Sequence, residues 1–296
     1  MAFRDRFRNH ILPEQIHILN VSFLVPEMRK EFGGCAGNIA YSLRLLGDDP
    51  LIMATVGDDA EPYFKRLDEL GLSKKHVQAI AGCYTAQAFI TTDLDENQIT
   101  AFHPGAMSFS HENCVLDAEG VTLAIVAPDG REGMLKHAED LATAGIAFVF
   151  DPGQGMPLFS GDELRRFLSL ASYACFNDYE AKLLCDRTRL SLEEIASELN
   201  ALIVTQGDEG SRIYANNQCL DIPCVKVETV VDPTGCGDAY RAGLLHGIAR
   251  GWDWEKTGQL AAVMGAFKVA CRGGQNHHSS RSDIADRFAA VFGQTL

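Results

Sequence analysis

The run Asp232-Pro-Thr-Gly-Cys-Gly-Asp238 sets a glycine-rich turn and two carboxylates directly before a helical pattern, Ala-Tyr-Arg-Ala-Gly-Leu-Leu-His-Gly-Ile-Ala. Residue types in this order can hold an anion. Gly235 and Gly237 let backbone N–H groups approach it with no Cβ between. The helix start adds unpaired N–H groups and the positive end of its dipole, which favour phosphate. The N–H groups of Gly235, Cys236 and Gly237 would then form an anion hole for a transferring phosphoryl group. Asp238 would lie beside that group. A carboxylate there repels phosphate unless it has a task, and accepting a proton from an attacking hydroxyl is one that fits. Taken alone, the same residues also suit a strand-to-helix turn that happens to contain an Asp.

Three further stretches belong with it. Glu31-Phe-Gly33-Gly34-Cys-Ala-Gly37-Asn38-Ile-Ala40 again puts glycines before a helix, with one buried-looking polar side chain. Asn177-Asp178-Tyr179-Glu180 spaces an amide and a carboxylate three apart at a helix start, where they share a face. Thr205-Gln-Gly207-Asp-Glu-Gly210 follows an apolar run. Together the four resemble the signatures of the ribokinase-like (phosphofructokinase B) carbohydrate kinase family, which read Gly-Gly-x-x-x-Asn-x-Ala, Asn-x-x-Glu, Thr-x-Gly-x-x-Gly and Asp-x-x-Gly-x-Gly-Asp. They occur in the family's order from Gly33 to Asp238.

The resemblance implies ATP-dependent phosphorylation of an alcohol, with Mg²⁺ as cofactor. It makes Asp238 the general base and Gly235, Cys236 and Gly237 the anion hole. Asn177, Thr205, Gly207 and Gly210 would border the nucleotide, and Glu180 would hold Mg²⁺ through water, as suits a hard cation that keeps its hydration shell. Asn177 and Glu180 also fit plain helix capping. Gly33, Gly34 and Asn38 would contact ribose hydroxyls, although Asn38 also suits a helix residue satisfied by neighbouring backbone. Asp232 would shape its turn or contribute to a K⁺ site, a feature of many family members, completed by the late loop Arg272-Gly-Gly-Gln-Asn276.

Substrate class rests on Asn97-Gln-Ile-Thr-Ala-Phe-His103-Pro-Gly-Ala-Met107 and Asp151-Pro-Gly-Gln154, which resemble segments of prokaryotic adenosine and nucleoside kinases of this family. Phe102, His103 and Met107 offer a flat, polarisable surface for a purine base, or packing for a lid. The expected reaction is therefore phosphorylation of the 5′-hydroxyl of adenosine or another purine nucleoside. A ribose or fructose kinase and a non-catalytic nucleoside binder are the alternatives. Family members open with an apolar strand, a glycine and an Asp that binds sugar hydroxyls. Here Met-Ala-Phe-Arg-Asp-Arg-Phe-Arg-Asn-His-Ile-Leu-Pro resembles instead the lid region that follows that strand. On this reading the first strand and its Asp have no counterpart, which bears on substrate affinity.

Composition bounds the rest. The 296 residues, 46% hydrophobic and 22% charged, suit one large α/β domain. A net charge of -14 argues against nucleic acid and anionic membrane as partners. No apolar run of about 18 residues occurs, and the charged N-terminus is unlike a signal, so the cytoplasm is the default compartment. The 9 cysteines include no Cys-x-x-Cys pair and suit a reducing compartment. His10, His277 and His278 lack metal-ligand spacing and read as surface residues.

Elements that could carry these residues alternate along the chain. Strands are expected at 51–56, 87–92, 122–127, 147–150, 173–176 and 202–205, several as continuous apolar runs covered on both faces. Helices are expected at 36–46, 61–70, 133–142, 161–169, 191–199, 237–249 and 254–271, with Ser191-Leu-Glu-Glu194 as a capping box. The order predicts βαβ units and a parallel sheet, with ligands beyond the strands' carboxyl ends. With the resemblance, this becomes a single ribokinase-like domain over 1–296: a three-layer αβα sandwich, a mainly parallel sheet and a small β lid. Residues of about 11–32 and 86–107, including a strand at 17–24, would form the lid, although composition alone also allows edge strands. Lids of this family can form dimer interfaces, which allows a homodimer.

Overall fold

The computed structural model describes residues 1–11, 18, 20–95 and 97–296. In chain order the elements are α1 (Cys35–Leu45), β1 (Leu51–Val56), α2 (Glu61–Glu69), β2 (Ser73–Ala79), β3 (Gln87–Thr92), β4 (Gln98–His103), β5 (Leu123–Val126), α3 (Arg131–Thr143) and β6 (Ala147–Phe150). There follow α4 (Gly161–Leu170), β7 (Tyr173–Asn177), α5 (Asp178–Thr188), α6 (Leu192–Ser197), β8 (Ala201–Thr205), β9 (Ser211–Ala215), β10 (Gln218–Ile222), α7 (Cys236–Ala249), α8 (Trp254–Val269) and α9 (Arg281–Phe292).

The central sheet runs β10-β9-β8-β7-β6-β5, parallel from β5 to β8 and antiparallel from β8 to β10. Side chains alternate across its strands. Phe148, Phe150, Ala174, Phe176, Leu202 and Val204 point into one core with α3, α4, α5 and α6. Val149, Cys175, Ala201 and Ile203 point into the other, against α1, α7 and α8. Both faces are covered, giving the three-layer αβα architecture of the ribokinase-like fold. Within the first layer the rings of Phe150 and Phe167 stack at 4.4 Å. In the second, α7 and α8 touch backbone to backbone: a Cβ on Gly243 would lie 2.5 Å from the Ala261 Cα.

The remaining strands stand apart. β1 and β2 form a parallel pair, and β3 and β4 an antiparallel hairpin with every residue of β4 exposed. The hairpin turn is closed by Asp93, whose carboxylate accepts from the backbone N–H groups of Asp95 and Asn97. Residues 1–3 lie along β3: the Met1 amino group donates to Ile90 O at 2.8 Å and Phe3 N to Thr92 O at 2.8 Å. Phe3, Phe7 and Phe23 then pack together, with ring centroids 4.9 to 5.7 Å apart. The start of the chain thus joins the hairpin. Of the strand expected at 17–24, residues 17 and 19 lie outside the described residues, and 20–24 carry no strand.

Other bounds shift by a few residues. The capping box at Ser191 is present, with Ser191 Oγ accepting from Glu194 N. The β9–β10 hairpin turns on Asn216 and Asn217, both left-handed at φ 52° and 59°. Among the described residues no helix is long and apolar enough to cross a membrane.

Candidate active site

Three neighbouring strands end in polar residues at the same edge of the sheet. Asp151 follows β6, Asn177 ends β7 and Thr205 ends β8, with Asn177 and Thr205 paired in register. Such an edge is where open α/β sheets bind ligands. The start of α7 comes to this edge, where its Arg241 meets Asp151.

Gly235 is the N-cap of α7 at φ 82°, a left-handed conformation that costs other residues about 1–2 kcal/mol. Asp232 braces the turn, accepting from Thr234 N at Oδ1 and from Gly273 N at Oδ2, both at 2.9 Å. The Cys236 N–H donates to Pro233 O at 3.1 Å. It is therefore spent on the turn, a correction to the expected anion hole. Among the described residues the N–H groups of Gly235, Gly237 and Asp238 make no such bond, and Gly237 is exposed. The Asp238 N–H is thus free in this turn and the Cys236 N–H is not. Burial pushes the Cys236 thiol up to about 11, which leaves it protonated and a poor nucleophile.

Asp238 is half-buried in the first turn of α7. Asn38 Nδ2 donates to its Oδ2 at 2.8 Å, and the Cys35 thiol lies against the same carboxylate. Burial raises its pKa above the ordinary carboxylate range, while Asn38 and Arg241 hold it down in part. Asn38 is 6% exposed, and its Oδ1 accepts from Gln275 Nε2 at 3.2 Å. Gln275 also reaches the Tyr63 hydroxyl at 3.1 Å, and that hydroxyl donates to Gly33 O at 2.9 Å. One chain of bonds therefore ties the Gly33–Gly34 turn, the late loop and Asp238 together. Asn38 faces the carboxylate, so it orients Asp238 whatever else it meets. Gly33 and Gly34 are exposed, with open space where a Cβ would project.

Beneath Asp238 lies a residue pair that sequence reasoning missed. Arg241, one turn further along α7, makes a bidentate ion pair with Asp151, Nε to Oδ2 at 2.9 Å and Nη2 to Oδ1 at 3.2 Å. Their side chains are only 8% and 6% exposed. Glu180 shares this charged cluster, and burial raises its pKa. Its Oε2 accepts from Asn177 N at 2.9 Å, while Asn177 Oδ1 accepts from Glu180 N at 2.7 Å, a reciprocal capping box. The capping alternative is thus present, and Glu180 keeps one oxygen for another partner. Among the described residues no group of three His, Cys, Asp or Glu could hold a metal ion. The remaining Glu180 oxygen is a hard donor of the kind that Mg²⁺, which keeps most of its hydration shell, would meet through water.

Gly207 is exposed with free space at its Cβ position, open to a ligand. Gly210 has another reason to be glycine: at φ 98° its Cβ would sit 2.2 Å from Ile222 O. Phe102 and His103 are neighbours on β4, so they face opposite sides of the hairpin. They therefore cannot line one surface together. Phe102 is 54% exposed, and Met107 follows in a 3₁₀ helix. His277 is buried rather than on the surface, its Nε2 bonded to Ser42 Oγ at 3.2 Å. His10 and His278 are exposed.

Comparison with known proteins adds the following. The model of the pfkB family carbohydrate kinases matches residues 8–281. The structure of Burkholderia thailandensis nucleoside kinase in complex with inosine is 55% identical, with a TM-score of 0.93 over 100% of this chain and 95% of that one. The same kinase in complex with ADP-inosine is 56% identical, with a TM-score of 0.91 over 100% and 93%. A nucleoside kinase of Methanocaldococcus jannaschii is 34% identical over 275 residues, covering 90% of this chain and 89% of that protein.

Proposed function

The chain belongs to the pfkB family of carbohydrate kinases, and from that premise we propose that it transfers the γ-phosphoryl group of ATP to the 5′-hydroxyl of a ribonucleoside, adenosine or another purine nucleoside. As a family member it is a phosphotransferase. The observation that carries the reading is the Asp238 carboxylate, held by Asn38 beside the unbonded N–H groups of Gly235, Gly237 and Asp238. The substrate class is supported by likeness to a nucleoside kinase whose structures are in complex with inosine and with ADP-inosine.

In this reading Asp238 takes the proton of the acceptor hydroxyl while its oxygen bonds to the γ-phosphorus. The bond from that phosphorus to the β–γ bridging oxygen breaks, and its electron pair stays on ADP. The N–H groups at the start of α7, with the helix dipole, hold the transferring oxygens. Burial makes Asp238 a better proton acceptor than an exposed Asp, but it must first be ionised. Activity therefore falls as pH drops through its raised pKa. Asn177, Thr205 and Gly207 border ATP, and Glu180, with one oxygen free, would hold Mg²⁺. When bound, the ion supplies charge neutralisation across the phosphates.

Gly33, Gly34 and Asn38 receive the ribose, while the β3–β4 hairpin with Phe102 or His103, and Met107, covers the base. The domain works as one unit in the cytoplasm. Phe89 and Ile99, exposed on the same face of the hairpin, support a homodimer through the lid.

The test is ADP release from Mg-ATP with adenosine, guanosine, inosine, cytidine, ribose, fructose and fructose 6-phosphate. Turnover confined to nucleosides, with purines preferred, is expected. Turnover on free sugars alone would overturn the substrate class.

A further inference from the structure

Lys268, in the last turn of α8, is 0% exposed. A buried ammonium is costly unless its lost hydration is replaced. Among the described residues no carboxylate pairs with it; the replacement is backbone. Its Nζ donates to Asp232 O and to Cys271 O, both at 2.9 Å. Lysines near helix ends often bond carbonyls at the close of their own helix, and Cys271 O, one residue past the C-cap Ala270, is local in that sense. Asp232 O is not: it lies 36 residues away, at the start of the phosphate-facing turn.

The position matters as much as the partners. Lys268 Cε lies 3.6 Å from where a Cβ on Gly235 would be, so the charge stands directly behind the turn. The Asp232 carboxylate spans the same two segments through Gly273 N, and Val231 N and Asp232 N both donate to Val269 O at the end of α8. Turn, late loop and helix end therefore meet around one ammonium. This is the junction of Asp232 and the late loop where the family resemblance allows a K⁺ site. Two carbonyl oxygens at this junction already accept from the Lys268 ammonium, whose positive charge would also repel a cation, so K⁺ does not fit there.

We propose that the Lys268 ammonium is a built-in monovalent cation, fixing the carbonyl side of the 232–237 turn so that its N–H groups hold phosphate without added K⁺. Lys268 is then a positioning residue, acting through the turn and touching no substrate. The proposal rests on the kinase reading for its consequence in turnover, but its nucleotide-binding consequence can be measured without turnover.

The experiment measures ADP affinity by calorimetry, together with kcat and KM for ATP, at constant ionic strength in K⁺, Na⁺ or N-methyl-D-glucamine. For the unmodified protein all three media give the same ADP affinity and kinetics. Lys268→Ala, which deletes the equivalent of n-propylammonium, is expected to weaken ADP binding at least about tenfold, one charge-assisted contact by the usual scale. K⁺ or n-propylammonium restores part of that loss, a rescue that a purely structural lysine would not give. Lys268→Met fills the same space without charge, and is expected to weaken binding without rescue. Saturable stimulation of the unmodified protein by K⁺ over both other cations overturns the proposal, as does Lys268→Met with unmodified ADP affinity. Should Lys268→Ala fail to fold, the cation series on the unmodified protein still decides. Should ADP bind while no acceptor is phosphorylated, the kinase reading fails and this one stands.

Discussion

Replacing Arg241 by methionine leaves Asp151 buried without its guanidinium. The pair is bidentate at 2.9 and 3.2 Å, with side chains 8% and 6% exposed, so little water can step in. Breaking such a pair from one side costs about 3–5 kcal/mol, because the remaining charge keeps its desolvation penalty. At about 2.1 cal/mol/K of unfolding entropy per residue, a 296-residue chain loses roughly 1.6 °C per kcal/mol, so the Tm should fall by about 5–8 °C. Replacing both, as Arg241→Met with Asp151→Leu, removes both penalties and should recover most of the loss. The cycle is read by thermal and urea unfolding, with a coupling energy of about 2–3 kcal/mol expected for residues in contact. The same variants also move the acid limb of the kcat/KM profile, by different amounts. Arg241 holds the Asp238 pKa down and Asp151 pushes it up, so Arg241→Met moves the limb to higher pH and the double variant moves it part of the way back. A single Arg241→Met variant within about 0.5 kcal/mol of the unmodified stability, the range of ordinary surface changes, would refute the reasoning.

Other consequences are more local. Burial, with Lys268 and His278 nearby, pushes the His277 pKa down to about 4 from 6.5, so the unfolded chain binds the extra proton between those values. Stability should therefore be lost as pH falls from about 6.5 toward 4, by about 3 kcal/mol from this group; unfolding of His277→Gln, compared at pH 7 and 4.5, should show a flatter dependence. Gly235→Ala puts a side chain at φ 82° and 3.3 Å from the Gly274 Cα, so it should cost about 1–2 kcal/mol and weaken ADP binding by calorimetry. Since Phe102 and His103 face opposite sides of β4, alanine at one should raise the nucleoside KM and alanine at the other should not; equal increases would contradict the split.

Much of this site could be read from residue order, because glycine turns before helices and apolar strand runs are local signals. The turn at Gly235, the strands ending at Asn177 and Thr205, and the capping box at Ser191 all depend on a few adjacent residues. What escaped depends on residues far apart. Asn38 meets Asp238 across 200 positions, and Arg241 meets Asp151 across 90. A signal for these partners did exist: Arg241 and Lys268 are lone charges inside the apolar helical runs Ala-Tyr-Arg-Ala-Gly-Leu and Gly-Ala-Phe-Lys-Val-Ala. A charge so placed must be paired when its helix is buried on all sides. The commitment of the Cys236 N–H to Pro233 was not legible, since it follows from the exact path of the turn. Nor was the β9–β10 hairpin expected, although the left-handed Asn216-Asn217 pair is its marker.

The most direct test of the central claim compares Asp238→Asn with the unmodified protein on the best nucleoside substrate, measuring ADP formation beside calorimetric binding of ADP and nucleoside. The variant keeps a side chain that Asn38 can bond but loses the proton acceptor. The account predicts a fall in kcat of about 10²–10⁴-fold with both affinities largely kept. Turnover within a few-fold of the unmodified rate would contradict it, because the proton would then be leaving by another route.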